Sequence, residues 1–233
     1  MNLAIFDVDG TLVRGPVDDD ALYVHAIRSH IALDRISTEW AEYRYSTDSG
    51  VLFEIFTRHL GQPPSEREAS LIRQTYTALL AEEVTCGDYA PEEIPGASSI
   101  LAFLSASGEW MPAVATGSWR ESTMIKLQRA GILVGGIPMA FAEDHFERTK
   151  IIELAIERAC EIYQCRKFGA IVYVGDRAWD YRASQALGLG FVALAGDARL
   201  ADLVPAELVL RDFAEPSLVL RTFQSASSQV TKT

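Results

Sequence analysis

The amino-acid sequence predicts an α/β fold, a parallel sheet core carrying helices, with an all-α block inserted after the first strand. Three observations carry this expectation. Short apolar, β-rich runs alternate with segments of helical periodicity, as parallel strands joined by crossover helices require. From about Val17 to Ala90 that alternation stops, leaving helical spacing and no strand pattern. Of 233 residues, 48% are hydrophobic, enough for one sizeable core and a smaller module.

The expected strands, in chain order, are Leu3–Val8, Met111–Ala115, Ile137–Ala142, Ala170–Val174, Phe191–Leu194 and Leu208–Leu210. Between them, Ile152, Ala155, Ala159 and Ile162 form one apolar helical stripe, and Met124 and Leu127 begin another that ends at Gly131. In the inserted block, "VDDDALYVHAI" reads as an acid-led helix start, with Asp18–Asp20 supplying helix-capping charge. "SGVLFEIFTRHLG" places Leu52, Ile55 and Phe56 on one face before a stop at Gly61, and a capping box from Ser65 to Glu68 opens a long helix. Gly15-Pro16 and "GDYAPEEIPG" mark turn-rich edges, so the expected division is a core of residues 1–15 and 92–233 and a helical block of 16–91. The polar tail "QSASSQVTKT" is expected to fray.

Composition narrows the function. A net charge of −11 with pI near 4.8 repels polyanions, so nucleic acid is not an expected partner. No apolar run approaches the roughly 20 residues that span a bilayer. The chain opens almost directly on a strand, without a basic-then-apolar leader, so a cytoplasmic location is expected. Cys86, Cys160 and Cys165 are an odd set without CxxC spacing, which argues against a disulfide framework or zinc site. Nothing in the sequence separates a monomer from a homodimer.

The chemistry concentrates at strand ends. In "FDVDGT", Asp7 and Asp9 stand two residues apart, so they point the same way where a strand delivers its ligands. A turn explains Asp9-Gly10 but leaves Asp7 as a charge that needs a partner or a metal. "MPAVATGSWRE" runs a strand into Thr116 and Gly117, then opens a helix with a capping box from Ser118 to Glu121, a natural anion site. "FERTKIIELAI" puts Lys150 at a helix start, against the usual preference for acids there. "AIVYVGDRAWD" ends on Asp176, with Asp180 one turn later.

"FDVDGT", the Thr of "ATGS", Lys150 and "VGDRAWD" resemble, in order, the four motifs of the haloacid dehalogenase superfamily. "IPGASSILAFLSASG" resembles the segment with which the core resumes in its phosphoglycolate-phosphatase-like members. The resemblance implies a Rossmann-like three-layer core with a helical cap of the first type, and a phosphomonoester hydrolase acting on a small phosphorylated metabolite. In that scheme Asp7 attacks phosphorus and forms an aspartyl phosphate, while Asp9 handles protons. Mg²⁺ is held by Asp7, the Asp9 carbonyl and Asp176, with Asp180 supporting, and Thr116, Gly117 and Lys150 bind the phosphoryl oxygens. The Lys-Pro pair common in the third motif is absent; Lys150 is the expected cation, with Arg148 close enough to replace it. Dehalogenases of this fold lack the second aspartate, so Asp9 favours phosphate over halide; a phosphosugar mutase keeps both, and an idle binding protein would show a damaged motif. Substrate choice is assigned to Arg44, Thr47, Asp48 and Ser49 in a loop of the helical block.

Overall fold

The computed structural model describes residues 1–15, 19–33, 35–86 and 90–230. In chain order its elements are β1 (Asn2–Phe6), β2 (Val13–Arg14), α1 (Asp19–Arg28), α2 (Asp48–Leu60), α3 (Glu66–Cys86), β3 (Glu92–Glu93), α4 (Ala97–Ser107), β4 (Trp110–Ala115), α5 (Arg120–Arg129), β5 (Met139–Ala140), α6 (Arg148–Ile162), β6 (Ile171–Gly175), α7 (Ala178–Ala186), β7 (Gly190–Leu194), α8 (Ala198–Ala201), β8 (Val209–Leu210) and α9 (Pro216–Val230).

Six parallel strands form one sheet in the order β5-β4-β1-β6-β7-β8. Every predicted strand appears in it, with ends shifted by up to two residues. The chain starts at the centre with β1, builds outward through β4 and β5, then crosses to β6 on β1's other side. That reversal opens a crevice at the carboxyl ends of β1, β4 and β6, where open α/β sheets take ligands. Leu3, Ala4, Ile5 and Phe6 of β1 are wholly buried, as a central strand covered on both faces must be. Helices α6 and α7 run side by side against the sheet, and Phe223 of α9 meets both Phe6 and Trp110.

A second apolar cluster lies in the helical block, built from Tyr23, Ile27, Leu52, Ile55, Phe56, Ile72 and Leu80, and closed by Trp119 and Ala142 from the sheet-bearing part. The capping box at α3 is formed by Ser65 and Glu68, and Gly61 ends α2 in the left-handed conformation. Two features were not foreseen. Strands β2 and β3 pair antiparallel across the helical block, Val13 with Glu93 and Arg14 with Glu92. The tail expected to fray is helical through Val230, because Val219, Phe223 and Ala226 bury one stripe of α9 against the sheet. Asp18, with part of each expected domain edge, lies outside the described residues. No helix among them is long and apolar enough to cross a membrane.

Candidate active site

Asp7 follows the last residue of β1 and is fixed by a 2.9 Å hydrogen bond from its amide to the Val174 carbonyl. Asp176 follows β6, the strand paired with β1, and Asp180 occupies the first turn of α7. The three side chains are buried, and each offers a carboxylate oxygen within 4.8 Å of the others. Gly10, at φ +77°, holds a left-handed turn whose missing side chain leaves room for the Asp176 carboxylate. Burial, followed by the charge of Asp180, raises the Asp7 carboxyl well above the usual carboxylate range. The same two causes push Asp176 up to about 7, and burial raises Asp180 against the pull of Arg148. Asp176 Oδ2 pairs with Arg177 at 3.0 Å, while its buried Oδ1 has no hydrogen-bond partner. A cluster of hard oxygen donors short of positive charge, with one donor atom left over, fits a Mg²⁺ ion.

Asp9 stands in different surroundings. Its Oδ1 accepts from the Lys126 ammonium at 2.8 Å and its Oδ2 from the Ser118 hydroxyl at 2.8 Å. Burial alone would raise this carboxyl, but Lys126 and the two hydrogen bonds outweigh it and hold it below its ordinary value. The capping box expected from Ser118 to Glu121 is therefore absent: α5 starts at Arg120, and the Ser118 hydroxyl is committed to Asp9. Thr116 is buried at the end of β4 and lines the cleft with Gly117, Asp7 and Asp9.

The two candidate third-motif cations are placed differently. Helix α6 begins at Arg148, and the Arg148 guanidinium enters the carboxylate cluster, 3.2 Å from Asp7 and 3.0 Å from Asp180. It also donates to the Ser46 carbonyl of the helical block at 2.8 Å. A side chain on Gly117 would collide with both Arg148 and that carbonyl. Lys150, two residues on, has turned about 200° around the helix. Its ammonium pairs instead with Glu153 at 2.6 Å, with both side chains largely in solvent. Tyr173, which the sequence did not single out, lies beneath the guanidinium and accepts from it at 3.3 Å.

The residues expected to choose substrate divide. Thr47 caps α2 by accepting from the Gly50 amide and donates to the Phe146 carbonyl. Asp48 accepts from the Trp119 amide at 2.9 Å, and burial pushes its carboxyl up to about 7. Ser49 takes the Trp119 indole N–H at 2.8 Å. These three seat the helical block on the sheet-bearing part, and Thr47 and Asp48 also line the cleft. Arg44 lies outside this cleft and packs on the Tyr45 ring. The cleft has a volume of about 720 Å³, and Tyr23, Trp40 and Tyr76 are among the residues that line it.

A family model for haloacid dehalogenase-like hydrolases matches residues 4–194, from the first strand through β7. The chain belongs to that family. Known structures share its architecture along nearly the whole length. A hydrolase from Pseudomonas syringae aligns with TM-score 0.62 and 19% identity over 95% of this chain and 98% of its own. CbbY from Rhodobacter sphaeroides, in complex with phosphate, aligns with TM-score 0.59 and 20% identity, covering 91% and 95%. A predicted phosphoglycolate phosphatase from Haemophilus somnus gives 0.61 and 19%, covering 94% and 97%. No curated protein matches the sequence. Within this fold the cation that pairs with both Asp7 and Asp180 is Arg148.

Proposed function

We propose that this haloacid dehalogenase-like hydrolase is a Mg²⁺-dependent phosphomonoesterase acting on a small phosphorylated metabolite through an aspartyl phosphate on Asp7. The observation that carries the reading is the pair of carboxylates at the tip of β1 in opposite surroundings. Asp7 lies among Asp176, Asp180 and Arg148, whereas Asp9 faces the cleft in the grip of Lys126 and Ser118. With a divalent cation held among Asp7, Asp176 and Asp180, Asp7 would stay ionised for attack, leaving Asp9 at the cleft as the group placed to move protons.

In the first half-reaction an Asp7 oxygen attacks phosphorus, the bond to the leaving oxygen breaks, and Asp9, after taking up a proton from solvent or from the substrate's phosphate monoanion, delivers it there. In the second, water attacks the acyl phosphate, gives its proton to Asp9, and frees Asp7 and inorganic phosphate. Arg148, Thr116 and the Gly117 backbone hold the phosphoryl oxygens as charge redistributes. Asp7, the Asp9 carbonyl and Asp176 would hold Mg²⁺, with Asp180 fixing Arg148 and supporting the metal site. The ion, when bound, neutralises the approach of an anionic carboxylate to an anionic phosphate. The helical block, described over residues 19–33 and 35–86, would act as a cap over the cleft, which Thr47 and Asp48 line. Asp9 disfavours carbon–halogen cleavage, because a halide leaves without a proton.

The test is a screen of phosphorylated metabolites with Mg²⁺ present, scored by phosphate release, with glucose-phosphate isomer interconversion as a parallel readout. Phosphate release from one or a few small substrates, lost in Asp7→Asn, is expected. Isomer interconversion without net phosphate would assign a mutase, and full turnover by Asp7→Asn would end the reading.

A further inference from the structure

Lys126 is a buried cation to which the phosphatase reading gives no task. On α5 the usual arrangement is inverted: apolar Met124 is 39% exposed, while the Lys126 side chain is 2% exposed. Burying an ammonium is unfavourable unless anions meet it, so local rules broken this way mark a site held for another reason. The anions here come from two parts of the protein. Asp9, on the loop after β1, bonds the ammonium at 2.8 Å, and Asp19, in the first turn of α1, pairs with it as well. With Ser118 on the other oxygen, both Asp9 oxygens are fixed, which sets the position and plane of the carboxyl.

We propose that Lys126 is a positioning residue for Asp9, holding its carboxyl where it exchanges protons with the leaving oxygen and the attacking water. Through Asp19 the hold depends on α1 being seated on the core, so proton transfer is competent when the helical block is docked. The inference rests on the phosphatase reading and adds a residue outside the four motifs. The alternative is that Lys126 merely fastens α1 to α5.

Leaving-group dependence separates the two roles. An alkoxide needs the Asp9 proton as the phosphorus–oxygen bond breaks, whereas 4-nitrophenolate departs without one. Formation of phosphoryl-Asp7 is followed by rapid quench from a good alkyl phosphate substrate and from 4-nitrophenyl phosphate, in wild type, Lys126→Met and Lys126→Arg. Lys126→Met is expected to slow the alkyl reaction about ten- to a hundredfold more than the aryl one, part of the 10²- to 10⁴-fold that a general acid supplies. Lys126→Arg should restore part of that ratio. Equal slowing of both substrates would show a fastening role and overturn the proposal, as would no change in either. Should Lys126→Met fail to fold, Asp19→Asn serves, with the same selectivity expected at smaller size and equal slowing again refuting. Wild type that forms no phosphoryl-enzyme from either substrate would refute the phosphatase reading itself, and the proposal with it.

Discussion

Replacing Arg148 by methionine removes the charge and keeps most of the side-chain volume. The guanidinium lies 3.2 Å from Asp7, 3.0 Å from Asp180 and 2.8 Å from the Ser46 carbonyl, with only 9% of the side chain exposed. Breaking such a buried arrangement from one side leaves two carboxylates uncompensated, at about 3–5 kcal/mol. Because burial already raises both carboxyls, they take up protons when the arginine goes, which places the expected loss near the lower end. For catalysis, losing one group aimed at the transferring charge costs about 10²- to 10³-fold in turnover. Lys150→Ala is the control. Its exposed pair with Glu153 contributes under about 1 kcal/mol, so stability and rate should stay near wild type. Urea unfolding and Mg²⁺-dependent hydrolysis of an aryl phosphate, run on both variants, give the comparison. An active Arg148→Met beside an inactive Lys150→Ala would refute the assignment of the third-motif cation.

Two further outcomes follow from the site. Asp48 is more readily protonated in the folded chain than in the unfolded one, so between about pH 4 and 7 the folded state binds the extra proton and stability falls as pH rises. Wild type should therefore lose up to about 2.6 kcal/mol more than Asp48→Asn between pH 5 and pH 8, less what partial solvation recovers, as thermal melts at both pH values would show. Mg²⁺ at about a hundred times its dissociation constant should add about 2.7 kcal/mol to wild-type stability, an increment removed by EDTA and absent from Asp176→Ala.

The sheet was legible because a strand buried on both faces is written as a continuous apolar run, and each run that ends in a polar group at Asp7, Thr116 or Asp176 marks a strand tip. Asp7, Asp176 and Asp180 meet in the grouping that the family resemblance implied, two at adjacent strand ends and one a turn into a helix, while Asp9, which the two-residue spacing paired with Asp7, faces Lys126 and Ser118 instead. Three features were not legible, each for a physical reason. Choosing between Arg148 and Lys150 required knowing the first residue of α6 to within one position, since each residue turns the helix by about 100°. Lys126 looks like any solvated helical lysine until Asp9 and Asp19, more than a hundred residues earlier in the chain, are brought to it. Ser118 fits a helix cap by sequence, yet its hydroxyl goes to Asp9 across the sheet. The ribbon of β2 and β3 offers only two residues per strand, too few for a periodic signal.

The central claim is that Asp7 carries the phosphoryl group. The most direct measurement is acid quench of the enzyme during turnover of a ³²P-labelled substrate, borohydride reduction of the acyl phosphate, and mass spectrometry of the N-terminal peptide. The account predicts acid-stable, hydroxylamine-labile label on the protein and homoserine at position 7, both absent from Asp7→Asn. Turnover with no labelled enzyme, or label at any other residue, would contradict it.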